Sequence, residues 1–205
     1  ALPISLLLPA AMRAAVGDTF KATNSDNIEI TYCITGDNTC EVGAGGTKYA
    51  QNFAIAQSTT GEVVIPDKVT NPNDNTQYTV TAIGMGAFYK CTAVTSLKTG
   101  NSVTSIGKYG VALCDKLTSV TLSTSLKEIA DYAFGKSPVT TINWPSTLTT
   151  IGTQAFWKAS FTSVELPSGL TTLGKQAFYQ CESLKSVTIP SSVITINEGA
   201  FNGCT

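Results

Sequence analysis

Two short patterns of apolar and polar positions alternate along this chain. LTSVTLS from Leu117, VTTINWP from Val139, FTSVELP from Phe161 and LKSVTIP from Leu184 each carry two apolar residues flanking a polar one, the period-two pattern of a half-buried strand. A second apolar pair, three residues apart, recurs after such segments: Val103 and Ile106, Leu126 and Ile129, Leu148 and Ile151, Leu170 and Leu173, Val193 and Ile196. Each pair leads into a phrase built on Ala-Phe, which is written six times: IGMGAFYKC from Ile83, IGKYGVALC from Ile106, IADYAFGKS from Ile129, IGTQAFWKA from Ile151, LGKQAFYQC from Leu173 and INEGAFNGC from Ile196. The phrases start 23, 23, 22, 22 and 23 residues apart, the spacing of a solenoid in which one supersecondary unit stacks on copies of itself.

One unit therefore reads as strand, proline or serine turn, second extended segment and tight apolar turn. A coil of this length is too short for a strand and a full return helix, so the Ala-Phe segment is expected as a single turn of 3₁₀ or α-helix. Phe88, Phe134, Phe156, Phe178 and Phe201 then form a buried ladder, with Val111 in the slot of the second copy. Ala or Gly precedes each, because only a small side chain fits where coils approach closely. Pro145, Pro167 and Pro190, matched upstream by Pro66, end strands because proline cannot donate to a ladder. Cys91, Cys114, Cys181 and Cys204 share one column with Ser137 and Ala159. A position that accepts Cys, Ser or Ala selects small size and burial, which favours buried free thiols. Neighbouring coils lie only about 4.8 Å apart, so bridges within the column also stay open.

The order strand, Ile-Pro, then Val/Leu-x-x-Ile-Gly-x-x-Ala-Phe-x-x-Cys-x-x-Leu, carried by roughly residues 60 to 205, resembles the BspA-like leucine-rich repeats of surface proteins from bacteria and some protists. The resemblance implies a mainly β fold with short helical turns, a leucine-rich-repeat solenoid. It also implies a secreted or cell-surface protein concerned with adhesion, whose partner is an extracellular or host or neighbour-cell protein. The family supplies no catalytic residues to carry over, and its binding residues vary too much to transfer by position.

Composition narrows this further. Charged residues make up 13 % of the chain, against about 25 % in ordinary domains, so Thr, Ser and Asn must supply the polar surface. A net charge of −1 leaves no overall basic footprint, and nucleic acid is not an expected partner.

The expected organisation has three parts: a signal-peptide remnant over 1–15, a β-hairpin cap over 16–58, and the repeat solenoid over 59–205. The first rests on Leu2-Pro-Ile-Ser-Leu-Leu-Leu-Pro-Ala-Ala, an apolar run of h-region length before Met12-Arg-Ala-Ala. No later run is long and apolar enough for a membrane helix. The last phrase ends at Cys204-Thr205 without a capping segment, so further repeats or another domain are expected beyond it. The second part rests on Asn27 to Val42, read as a hairpin turning at Gly36-Asp37. That register sets Cys33 opposite Cys40, near the short end of disulfide geometry, so bridge and free thiols are both open.

No catalytic group stands out. The chain has no histidine, which removes the usual base of a serine or cysteine nucleophile and the commonest neutral metal ligand. Cysteines come in no CxxC pair, no phosphate loop appears, and Asp115, Glu128, Asp131, Glu165, Glu182 and Glu198 fall at differing positions in their copies. The reading is a non-enzyme without cofactor or metal. Binding is assigned to exposed columns instead. Lys98, Thr121, Asn143, Glu165 and Thr188 form one, and Thr95, Thr118, Thr140, Thr162 and Lys185 a second, together a Thr-rich face about 20 Å long at ordinary strand spacing. Such a face suits a protein partner, although β-propensity alone also explains threonine there. Tyr89, Trp157 and Tyr179, one place after their phenylalanines, are a separate set able to stack on a glycan or anchor a partner. A flat exposed row of them would favour the alternative of a carbohydrate-binding or spacer module in a larger envelope protein. Trp144 reads as core.

Overall fold

The computed structural model describes residues 14–205; apart from Ala14 and Ala15, the expected leader lies outside the described residues. The chain opens with a ribbon of three antiparallel strands, β1 (Thr19–Thr23), β2 (Glu29–Gly36) and β3 (Thr39–Val42). Next come β4 (Gly61–Val64), β5 (Lys68–Thr70) and β6 (Gln77–Ile83). Every later coil gives one strand to each of two walls: β7 (Val94–Lys98) and β8 (Ser105–Ile106), β9 (Ser119–Thr121) and β10 (Glu128–Ile129), β11 (Thr141–Ile142) and β12 (Thr150–Ile151), β13 (Ser163–Glu165) and β14 (Thr172–Leu173), β15 (Ser186–Thr188) and β16 (Thr195–Ile196). The Pro and Ser turns fall between the two strands of a coil, where the period-two pattern stops.

The even-numbered wall is continuous: β6, β8, β10, β12, β14 and β16 pair in parallel, coil after coil. The N-terminal ribbon joins it, with β3 lying parallel to β6 and covering the edge that the first coil would otherwise present. The other wall runs β4, β7, β9, β11 and stops; β13 and β15 pair only with each other. Between the walls, Leu97, Val120 and Val164 face Ile83, Ile106, Ile129, Ile151 and Leu173, all buried. Phe134, Phe156, Phe178 and Phe201 stack at 5.2, 5.3 and 5.5 Å with ring planes within 10°, each pair contributing about 0.5–1.5 kcal/mol beyond its buried area. Phe88 and Val111 are buried in the first two slots of the same ladder. In the last coil Ile194 and Ile196 are 85 % and 50 % exposed.

The Ala-Phe segment takes the form of overlapping β-turns where a helical turn was expected. In the first copy the N–H groups of Ala87, Tyr89 and Cys91 donate three residues back, to Gly84, Gly86 and Phe88, while those of Gly86, Phe88 and Lys90 donate sideways to Lys108, Gly110 and Ala112 of the next coil. A helix would consume all of these donors internally; here alternate ones zip coil to coil. The geometry requires a left-handed residue twice per copy, at Gly86 and Lys90, Tyr109 and Leu113, Tyr132 and Lys136, Gln154 and Lys158, Gln176 and Gln180, Gly199 and Gly203. These are the third residues of their turns, where type II geometry has positive φ.

The hairpin register also differs from the expected one. The turn is Asp37-Asn38, Gly36 pairs with Thr39, and an irregularity between Ile34 and Gly36 sets Ile34 opposite Cys40 and Cys33 opposite Glu41. Successive strand residues point to opposite faces, so Cys33 and Cys40 lie on different sides of the ribbon. Both thiols are free, and the possible disulfide is not formed.

Candidate interaction surfaces

The two predicted strand columns are exposed throughout: Lys98, Thr121, Asn143, Glu165 and Thr188 in one, Thr95, Thr118, Thr140, Thr162 and Lys185 in the other. Pairing sets Lys98 beside Thr121 and Glu165 beside Thr188. Another threonine column, two residues before the buried Ile or Leu of the even-numbered strands, shows what a structural threonine does. Thr81, Thr104, Thr149 and Thr171 donate their hydroxyls to the carbonyls of Cys40, Thr81, Lys127 and Thr149 in the preceding coil. On the strand face only Thr140 does so, to Thr118. The hydroxyls of Thr95, Thr118, Thr121, Thr162 and Thr188 make no hydrogen bond to the described residues. Asn143 is different: its Oδ1 accepts from the Leu122 N–H at 2.6 Å and its Nδ2 donates to the Leu122 carbonyl at 3.0 Å. The amide thus imitates a missing strand partner and is committed to the neighbouring coil.

The wall parts between β11 and β13, where two aromatic side chains, Trp144 and Phe161, stand at leucine positions. Trp144 occupies the place of Leu122 and Leu166, and its indole packs edge-on against Phe156 at 5.4 Å, with Phe161 at 6.0 Å and Phe178 at 6.4 Å. Leu122 and Leu166 are buried, whereas Trp144 is half-buried. Its remaining surface lines a groove of about 480 Å³ together with Glu165, Leu166, Pro167, Thr188 and Pro190. The residue read as core is therefore core on one side and groove on the other. The sequence signal was its size at a leucine position; the groove depends on the parting of the wall, which no local pattern encodes.

Tyr89, Trp157 and Tyr179 are half-buried and do not make a flat open row. Lys90 Nζ lies 5.6 Å from the Tyr89 ring centre and Lys136 Nζ 4.6 Å from that of Trp157, whose Nε1 donates to Gln180 Oε1 at 3.2 Å. The same position holds Ala112 and Gly135 in the intervening copies. Three further tyrosines gather on this turn face: Tyr109 stacks on Tyr132 at 4.9 Å, and Tyr49 packs 4.3 Å from Tyr109 and 4.9 Å from Tyr89. Tyr109 and Tyr132 were visible as a pair two places before the ladder position. Tyr49 was not, because only the fold brings it over Gly86, where a Cβ would run into the Tyr49 backbone.

The cysteine column is structural. Cys114 Sγ donates to the Phe88 carbonyl at 3.1 Å, Cys181 to Phe156 at 3.2 Å and Cys204 to Phe178 at 3.3 Å, and Ser137 Oγ donates to Val111 at 2.8 Å. In these four copies the residue is a small donor to the preceding coil, while Cys91 and Ala159 fill the position by size alone. All six cysteines are free. Burial pushes the Cys91, Cys114 and Cys181 thiols up to about 12, which holds them in the protonated, poorly nucleophilic form. Among the described residues, no group of three or more His, Cys, Asp or Glu is placed to hold a metal, and no helix is long and apolar enough to cross a membrane.

Short parallel strands stacked coil upon coil around a continuous aromatic and aliphatic ladder define a leucine-rich-repeat solenoid, a class that mediates protein interactions through its surfaces. The chain belongs to the BspA type leucine rich repeat family, whose repeat region matches as six copies over residues 81–205. Among solved structures it is similar to a leucine-rich repeat protein from Bacteroides ovatus, with 33 % identity, TM-score 0.73, and coverage of 85 % of this chain and 43 % of that one. A leucine rich cell surface protein from Faecalibacterium prausnitzii is 28 % identical with TM-score 0.73, over 90 % of this chain and 46 % of that one. The leucine rich repeat protein of T. pallidum, 23 % identical, shares the fold with TM-score 0.71 over 93 % and 78 %. The chain spans less than half the length of the first two. No curated protein matches it.

Proposed function

We propose that this chain is a non-catalytic adhesion module displayed outside the cell, and that it holds a partner protein on its strand face with the Trp144 groove at the centre. The observation that carries this reading is the contrast between the two threonine columns. One spends its hydroxyls on the neighbouring coil; the other, Thr140 apart, leaves them unengaged beside a half-buried tryptophan. A tryptophan lining a groove is the kind of residue on which interface energy concentrates; the open hydroxyls around it supply polar contacts at its rim. The family membership and the cell-surface relative support surface display. The reading in which Tyr89, Trp157 and Tyr179 stack on sugars has no open ring row behind it.

The test is binding of the full chain to a panel of purified extracellular-matrix and cell-surface proteins. Saturable binding to at least one is expected. It should weaken tenfold or more, about 1.4 kcal/mol, on changing Trp144→Leu or Thr121→Lys with Thr188→Lys. Leucine already fills the Trp144 position in neighbouring coils, so folding is retained. Binding that survives both changes, or none to any protein, contradicts the proposal.

A further inference from the structure

The turn face carries a charge pattern that the strand face does not use. Its six segments, 84–91, 107–114, 130–137, 152–159, 174–181 and 197–204, hold five lysines and two carboxylates. That is a net +3 in a chain whose overall charge is −1. The lysines fall one to a coil in five successive coils, as Lys90, Lys108, Lys136, Lys158 and Lys175, and all are exposed. Lys48, next to Tyr49 in the sequence, is exposed as well.

Among the described residues Lys90, Lys108, Lys136 and Lys158 have no carboxylate at ion-pair distance, although Glu182 borders the same surface depression as Lys158. Among the described residues only Lys175 has an ion-pair partner on this face, Glu198 at 2.7 Å. The other carboxylate, Asp131, accepts the Thr153 N–H at 2.7 Å. Lysine heads are held over aromatic rings instead: Lys90 over Tyr89, Lys108 at 5.7 and 5.8 Å from Tyr109 and Tyr132, and Lys136 over Trp157. A ring face orients a cation without cancelling its charge. Lys90, Lys136 and Lys158 also sit at left-handed positions, where glycine is the easiest residue and where Gly203 stands in the last copy.

We propose that the turn face binds a sulfated polysaccharide, laid along the solenoid axis with its sulfate groups over the lysine row. The cations recur one per coil, at a rise of about 4.8 Å, in two parallel columns, Lys90, Lys136 and Lys158 late in the turn and Lys108 and Lys175 early in it, a regular spacing that matches a linear polymer bearing about one anion per sugar. A globular acidic partner would not need that regularity. Single-stranded nucleic acid would need open ring faces as stacking platforms, and Tyr89, Tyr109, Tyr132 and Trp157 are covered by one another or by lysine. The site lies apart from the strand face and goes beyond the protein-binding role proposed above.

The experiment uses the full chain on immobilised heparin at about 50 mM salt, where surface charges are weakly screened. Binding is expected that falls steeply as salt rises. The variant Lys90→Gln, Lys108→Gln, Lys136→Gln, Lys158→Gln should bind tenfold or more weakly with an unchanged thermal midpoint. Glutamine is tolerated at Lys90, Lys136 and Lys158, since Gln154, Gln176 and Gln180 hold left-handed positions in other coils, and Lys108 is exposed. Trp144→Leu should leave heparin binding intact. Equal retention of the quadruple variant, equal affinity for unsulfated hyaluronate or for single-stranded DNA, or no retention on heparin overturns the proposal.

Discussion

At the residue scale, the cysteine column shows how little space and how much geometry one position controls. Cys114 donates to Phe88 and Ser137 makes the same bond one coil on. Cys114→Ser should therefore cost less than about 1.5 kcal/mol, whereas Cys114→Leu should cost about 1–3 kcal/mol through overpacking; urea unfolding distinguishes the two. The same thiols set a pH dependence. Ordinarily titrating near 9.0, Cys91, Cys114 and Cys181 are raised to about 12. The folded state thus favours their protonated form, and that stabilisation is whole below pH 9 and is lost as pH rises from 9 towards 12. Denaturant midpoints measured from neutral pH to about 11 should fall more steeply for the native chain than for a triple Cys→Ala variant of these positions. Parallel decline in the two would contradict it. Small size in this column was legible in the alternation of Cys, Ser and Ala. The donor role was not, because its acceptor is a backbone carbonyl 26 residues earlier at Cys114.

At the element scale, legibility followed repetition. Strands recurring in every copy could be placed from their period, and the Phe ladder follows from the spacing of the six phrases. Phe156 lies between Phe134 and Phe178 and is touched by Trp144 and Phe161; Phe156→Ala should cost about 3–5 kcal/mol, read from equilibrium unfolding. A loss below 1 kcal/mol would mean the coils do not share one core. Features occurring once were not legible. The irregularity before the Asp37-Asn38 turn shifts the register that had placed Cys33 opposite Cys40, and a one-residue shift changes which face every side chain takes. The Ala-Phe turn had the right composition for a helical turn, but its N–H groups answer to the adjacent coil, which lies outside any local window. Asn143 shows the same limit: an exposed polar residue in a candidate column, drawn into bonding with Leu122.

At the scale of the whole molecule, the two sides of the solenoid are chemically distinct. The strand wall is neutral, rich in unengaged threonine hydroxyls and parted at a tryptophan; the turn face is aromatic and cationic. The overall charge of −1 conceals this, because the segments outside the turns carry the compensating carboxylates. Both surfaces follow from one device, a coil that presents corresponding residues at a fixed interval, so that a single substitution in the repeat becomes one member of a column. The central claim is that the strand wall, and not the turn face, receives the protein partner. Amide hydrogen exchange of the full chain, alone and saturated with a protein from the binding panel, tests this most directly. The account predicts slowed exchange in β9, β13 and β15 and in the turns around Trp144 and Pro167, with the Ala-Phe segments unchanged; protection confined to those segments would contradict it.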